Sequence, residues 1–184
     1  MTVLQVSHSV RRLQTVEERQ VDELADLIID AVDGDASVSF MHPLTRERAL
    51  TFWHHVAEQV RAGKRALLVA EDARGICGSV QLLLEQPENQ PHRADVSKLL
   101  VHRRARRQGL GAALMQAVDG TARECGKTLL VLDTATGGDA DRLYQRLGWV
   151  RVGDIPGYAL SPRGSLAGTT VFYRALEGGI VGGT

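Results

Sequence analysis

The sequence predicts a single mixed α/β domain, and three observations carry that expectation. Apolar runs with strand character alternate with four stretches of helical periodicity. The stretch from Ala94 to Asp133 reads as strand, helix, strand, with the length of a βαβ crossover, which demands two parallel neighbouring strands. The 184 residues, 43% of them hydrophobic, suffice for one self-supporting core without metal or disulfide staples.

Each element follows in order from its own pattern. Leu4 to Val10 alternate loosely and suggest an opening strand. Val21, Leu24, Ala25, Ile28, Ile29 and Val32 share one face of a first helix that stops near Gly34. Gly34 to Pro43 mixes turn formers with apolar residues and reads as a loop. Thr45 can cap a second helix, with Ala49, Phe52, Trp53, Val56, Ala57 and Val60 inward and Gly63 at its end. Ala66 to Ala70 and Ile76 to Leu84 flank the turn Asp72-Ala73-Arg74-Gly75 as an antiparallel hairpin. Ala94 to Val101 is a strand; period-two alternation puts Asp95, Ser97, Leu99 and Val101 on one face.

A third helix runs from Leu110 through Cys125, closed by Gly126, and Leu129 to Leu132 is a short buried strand. Asp139 to Leu147 is a short helix. Trp149 to Val152 and Thr170 to Leu176 read as closing strands, bridged by a Gly/Pro-rich loop from Asp154 to Gly168. The expected total is six to seven strands and about four helices in a domain over residues 1–177, with a flexible glycine-rich tail at 178–184.

Composition excludes several function classes. The 22 basic residues balance 22 acidic ones, so the whole molecule has no electrostatic drive toward nucleic acid or an anionic membrane. No apolar window approaches the ~18 residues of a membrane span. The N-terminus MTVLQVSHSV lacks the basic-then-apolar order of a signal peptide, so a cytoplasmic location is expected. Cys77 and Cys125 form no CxxC pair and read as core thiols of a reducing compartment. The histidines offer no ligand spacing, since the adjacent His54 and His55 face about 100° apart on a helix, and no metal site is expected.

Chemistry concentrates in Arg106-Arg107-Gln108-Gly109-Leu110-Gly111, between a strand and a helix. Two glycines permit a tight turn and close backbone approach, and the helix N-terminus presents free N–H groups suited to a phosphate or diphosphate. No Gly-Lys-Ser/Thr follows, and two glycines do not make GxGxxG, which disfavours nucleotide hydrolysis and Rossmann redox chemistry. The basic run from His102 to Arg107 lacks interleaved aromatics, which favours a small phosphorylated cofactor over nucleic acid.

The pattern R-x-x-G-x-G after an apolar strand resembles the acyl-CoA signature of the GNAT superfamily of N-acetyltransferases. Ala140, Tyr144 and Leu147-Gly148-Trp149 resemble that family's closing motif, and the likeness spans Val3 to Leu176. Asp35 to Met41, Ala94 to Leu99 and Ile155-Pro156-Gly157-Tyr158 resemble the tabtoxin-resistance acetyltransferases. The resemblance implies a twisted sheet splayed between two parallel strands, with acetyl-CoA slotted between them. It places the CoA diphosphate on Arg106, Arg107, Gln108, Gly109, Leu110, Gly111 and Ala112, and pairs the pantetheine with Leu99, Leu100 and Val101, where one N–H near Leu99 or Leu100 polarises the thioester carbonyl. Gly137 stands where the family often carries asparagine.

Tyr144 occupies the family's general-acid position, and a phenol can protonate a departing thiolate. Asp95 and Asp133 are both candidates for taking the amine's proton or holding its ammonium. Ser37, Phe40, Met41 and Tyr158 are the expected substrate contacts. The resulting expectation is direct acetyl transfer to a small amino acid-like amine, including a toxin or antibiotic detoxified in this way. The alternatives are a protein lysine or N-terminal acetyltransferase and a non-catalytic acyl-CoA-binding module. The apolar strand Thr170 to Leu176, with the resemblance, is compatible with a homodimer.

Overall fold

Hydrophobic periodicity decides which face of the sheet each helix covers. The computed structural model describes residues 8–176. Its elements are β1 (Ser9–Leu13), α1 (Glu18–Asp33), α2 (Arg46–Arg61), β2 (Arg65–Asp72), β3 (Gly75–Leu83), β4 (Arg93–Val101), α3 (Leu110–Glu124), β5 (Leu129–Ala135), α4 (Asp139–Arg146), β6 (Val150–Leu160) and β7 (Leu166–Ala175). The strands form one open sheet in the order β1-β2-β3-β4-β5-β7-β6, in which β4 and β5 are parallel and the other neighbours antiparallel. This is the mixed α/β architecture that the βαβ unit demands.

Leu24, Ile28 and Val32 of α1 and Trp53 and Val56 of α2 are buried with Leu67, Val69 and Leu100 on one face of the sheet. Leu110, Leu114, Met115 and Val118 of α3 are buried with Leu68, Val80, Val96, Leu130, Tyr144 and Phe172 on the other. Full burial of a side chain of this size is worth about 1.5–3 kcal/mol, so these two layers supply most of the driving force for folding. Thr45 caps α2, its Oγ1 accepting from the Arg48 N–H at 3.4 Å.

Four expectations need correction. The first strand starts at Ser9 and runs to Leu13, and the part of Leu4 to Val10 before residue 8 lies outside the described residues, as does the tail at 177–184. The region from Asp154 to Gly168 is not a loop but most of a hairpin, with only residues 161–165 between β6 and β7. Pro156 is tolerated there because β6 is an edge strand. The register break between Ile155 and Ala159 absorbs Pro156 and Gly157, whose φ is +61°. The apolar strand β7 is interior, paired with β5 and β6 and burying Phe172 completely, so its apolar character serves the core rather than an interface. Cys77 is fully buried, but Cys125 is only half-buried at the end of α3.

Strand β4 also departs from simple alternation. Ser97 pairs with Gln81 and Leu100 with Ser79, so three steps on β4 match two on β3. The extra residue is Lys98, at φ +53°. This bulge turns the strand over. Leu99 and Val101 therefore pack toward the α3 layer and Leu100 toward the α1–α2 layer. The expected common face of Asp95, Ser97, Leu99 and Val101 ends at Ser97.

Candidate active site

Strands β4 and β5 pair only through Arg93–Asp95 and Leu129–Val131. Beyond that point they diverge, leaving the backbone of Ser97 to Val101 without a strand partner on the β5 side. Between them opens a cavity of about 1080 Å³. Ligand sites run to about 300–1,000 Å³, so this one stands at the upper end of that range.

One end of the cavity is made for anions. Arg107 has φ +63° and Gly109 φ +79°, and these left-handed residues turn the chain sharply into α3. Nothing lies within 4 Å of a Cβ built on Gly109, so the glycine answers a conformational need and not a spatial one. Gly111 is different, because a Cβ there would meet Leu143 Cδ2 at 3.0 Å where α3 approaches α4. No side chain caps α3, which leaves its first N–H groups free. Arg106, Arg107, Gly109, Leu110, Gly111 and Ala112 all line the cavity; the Gln108 side chain instead donates to the Arg104 carbonyl at 3.3 Å. Arg142 and Arg146 of α4 line the same end, which the sequence reading missed. Their i, i+4 spacing on one helix face was the available signal.

The turn that aims this end is pinned from below. The buried Asp30 carboxylate accepts from the Arg103 N–H at 3.0 Å and from the Arg103 guanidinium. Arg104 donates to Asp72 at 3.2 Å and to the Ile76 carbonyl at 3.1 Å. At position 137 the glycine N–H donates to Asp141 Oδ2 at 2.7 Å, so the start of α4 is held by an internal carboxylate.

The other end gathers side chains from separate elements. The Tyr144 ring packs at 5.8 Å from both Trp149 and Phe172, and the residue lines the cavity. Burial, and then the charge of Asp133, push its phenol well above the ordinary tyrosine range and keep it protonated. Asp133 is exposed in the cavity, its carboxylate accepting from Thr169 Oγ1 at 2.9 Å. Asp95 also lines the cavity, but Gln86 donates to it at 3.0 Å and the Arg93 guanidinium is paired with it. Ser37 and Tyr158 line the cavity. Phe40 and Met41 do not: Phe40 packs edge-on against Phe52 at 5.3 Å, and Met41 is exposed elsewhere.

The 34–43 loop and the β6–β7 hairpin meet beside this end. The His42 N–H donates to the Pro162 carbonyl at 2.9 Å, and Arg163 reaches the Asp33 carbonyl at 3.4 Å. Lys98, which the sequence reading did not single out, also lines the cavity.

Residues 63–151 match the family described as acetyltransferase (GNAT) domain. An N-acetyltransferase of Azospirillum brasilense from the hisH-hisA intergenic region is 31% identical over 127 residues, covering 68% of this chain and 74% of that protein. The chain belongs to the GNAT acetyltransferases. Among solved structures, a GCN5-related N-acetyltransferase from Kribbella flavida is similar at 25% identity and TM-score 0.74, over 92% of this chain and 98% of that one. A Salmonella typhimurium acetyltransferase structure with its cofactor acetyl-CoA is similar in fold, at 18% identity and TM-score 0.77 over 96% of this chain and 98% of that one.

As a GNAT enzyme the protein uses acetyl-CoA as co-substrate. The cavity fits that molecule on its own terms, with uncapped N–H groups and Arg106, Arg107 and Arg146 at one end, where Arg142 is paired with Asp139, and an unpaired strand edge along one wall. The thiols stand apart. Cys77 Sγ donates to the Ala70 carbonyl at 3.4 Å, burial pushes its pKa up to about 11, and neither cysteine lines the cavity. The one grouping of metal-type side chains among the described residues, His8, Asp72 and Cys77, lies outside the cavity, and its carboxylate is already held by Arg104. Among the described residues no helix is long and apolar enough to cross a membrane.

Proposed function

We propose that this enzyme transfers acetyl directly to the amine of a small amino acid-like molecule, in the manner of the tabtoxin-resistance group that its sequence resembles. The observation that carries this reading is the junction of the 34–43 loop with the β6–β7 hairpin through His42 and Pro162. Such a junction beside the site favours a small acceptor over an extended peptide, which would need an open groove.

The roles follow from the geometry. Acetyl-CoA supplies an activated acetyl group whose carbonyl carbon is open to attack by a neutral amine. The backbone N–H groups from Arg107 to Ala112 hold the diphosphate, with the Arg106 and Arg107 side chains at its edge. Leu99, Leu100 and Val101 offer their free edge to the pantetheine, and one N–H near Leu99 or Leu100 receives the charge that develops on the carbonyl oxygen. Losing such a donor elsewhere costs about 3 kcal/mol.

Asp133 takes the proton that the acceptor ammonium sheds, directly or through water, and Tyr144 gives its proton to the departing thiolate as the carbon–sulfur bond breaks. The two steps help each other. The Asp133 charge is one cause of the high Tyr144 pKa, so protonating Asp133 strengthens the phenol as an acid when the thiolate leaves. Asp95, tied to Arg93 and Gln86, is the wall of the site rather than its base. Ser37 and Tyr158 face the acceptor. The exposed Val150, Val152, Ile155 and Leu160 of edge strand β6 support a homodimer formed there, which light scattering would detect.

The test is CoA thiol release with mass detection of product across amino acids, β-lactam amino acid toxins, simple amines and lysine peptides. Acetylation of a free amino acid or toxin above the others is the expected result. Preference for peptides would overturn it, and bound acetyl-CoA without turnover on any acceptor would favour a binding module.

A further inference from the structure

Lys98 is a cation facing the cavity without an anion to meet it. Its Nζ donates to Ser39 Oγ at 3.1 Å and lies 5.9 Å from the centroid of the Phe52 ring. Both are neutral partners, and among the described residues no carboxylate lies within ion-pair distance of it. The side chain is half-buried, so water answers only part of its charge.

Its surroundings hold donors in excess. Arg65 on β2 donates to Gln81 Oε1, yet Arg65 Nε, Gln81 Nε2 and Trp53 Nε1 are all buried without acceptors. Gln81 is the register partner of Ser97, next to Lys98, and the Trp53 ring is 5.1 Å from Phe52. The bulge itself puts Lys98 at φ +53°, where a β-strand residue would ordinarily be extended. The opposite wall carries Asp133, so Lys98 and Asp133 set a positive and a negative group across the cavity, where Asp95 is already paired with Arg93.

We propose that Lys98 is the anchor for a carboxylate on the acceptor, so that the substrate class is amino acids with a free acid group rather than polyamines or peptide lysines. The ammonium of such a zwitterion faces Asp133 while its carboxylate accepts from the Lys98 N–H groups that Ser39 leaves open. The inference rests on the small-acceptor reading above, and it narrows that reading to one charge pattern.

The decisive comparison is a matched pair, an amino acid and its amide, assayed with wild type, Lys98→Met and Lys98→Arg. Both replacements face the same positive φ as lysine, and circular dichroism checks folding. Wild type should favour the acid, Lys98→Met should lower that acid-over-amide ratio about 10–100-fold, and Lys98→Arg should keep most of it. An unchanged ratio in folded Lys98→Met would overturn the proposal. Calorimetric titration of N-acetylalanine and its amide into CoA-loaded protein separates the two readings. If wild type acetylates only peptides, the small-acceptor reading fails, yet acid-selective binding lost in Lys98→Met still supports the anion site. Binding that ignores the substitution removes it.

Discussion

The two ends of the cavity are built on opposite plans. The anion end is largely one continuous stretch, Arg106 to Ala112, whose proposed working groups are backbone N–H donors aimed by two left-handed residues. The acceptor end draws single side chains from the 34–43 loop, β4, β5, α4 and β6. A site made of backbone tolerates changed side chains and resists changed conformation. A site made of side chains does the reverse, and substitutions at the two ends should separate accordingly.

The largest effect is expected at Tyr144. Tyr144→Phe removes the proton donor and keeps the ring packed on Trp149 and Phe172, so kcat should fall about 10²–10³-fold while the KM for acetyl-CoA stays within about twofold. Activity near wild type would remove the general-acid role. Next come the carboxylates: Asp133→Asn should lower kcat/KM by about tenfold or more, Asp95→Asn by less than about threefold, because Asp95 is already paired with Arg93. Equal losses would erase the distinction between base and wall.

At the anion end, Gly109→Ala must hold φ near +79°, a conformation that costs an ordinary residue about 1–2 kcal/mol. The KM for acetyl-CoA should rise about tenfold with kcat little changed. Gln108→Ala should change that KM less than about twofold, since its side chain turns away to the Arg104 carbonyl. A larger loss for Gln108→Ala than for Gly109→Ala would contradict the backbone plan.

The smallest effect is a pH dependence. Burial first, then Arg65, hold the Lys98 ammonium below the ordinary lysine range, and Asp133 opposes them; Ser39 and Phe52 facing it are neutral. The charged form binds an anion, dominates below that lowered pKa and is lost as pH rises through it. The acid-over-amide preference should therefore decline severalfold at a pH below the ~10.4 of a free lysine side chain. A ratio flat to that point would argue against Lys98.

Legibility in the sequence followed the same divide. The tight turn into α3 was readable because glycine spacing at a strand-to-helix junction is local, and Tyr144, which lines the cavity, was singled out by the family resemblance. Helices α1 to α3 were readable because each has one clean apolar face. Phe40 and Met41 looked like substrate contacts because a loop shows no face, and only tertiary packing on Phe52 decides where Phe40 goes. The length of β6 was hidden because Pro156 and Gly157 are loop signals everywhere except at a register break on a sheet edge. The bulge did leave a trace: Asp95 and Ser97 alternate with apolar residues, then Lys98 follows Ser97 directly and Leu99, Leu100 and Val101 run unbroken.

That bulge makes β4 sensitive to length more than to identity. Inserting one residue between Lys98 and Leu99 would turn Leu99 and Val101 out of the α3 layer and bring Leu100 into it. Exchanging any one of these side chains disturbs one contact, whereas a shift of frame would exchange the interiors of both layers at once. Insertions and deletions within Arg93–Val101, other than loss of the bulge residue itself, should thus be purged far more strictly than substitutions there.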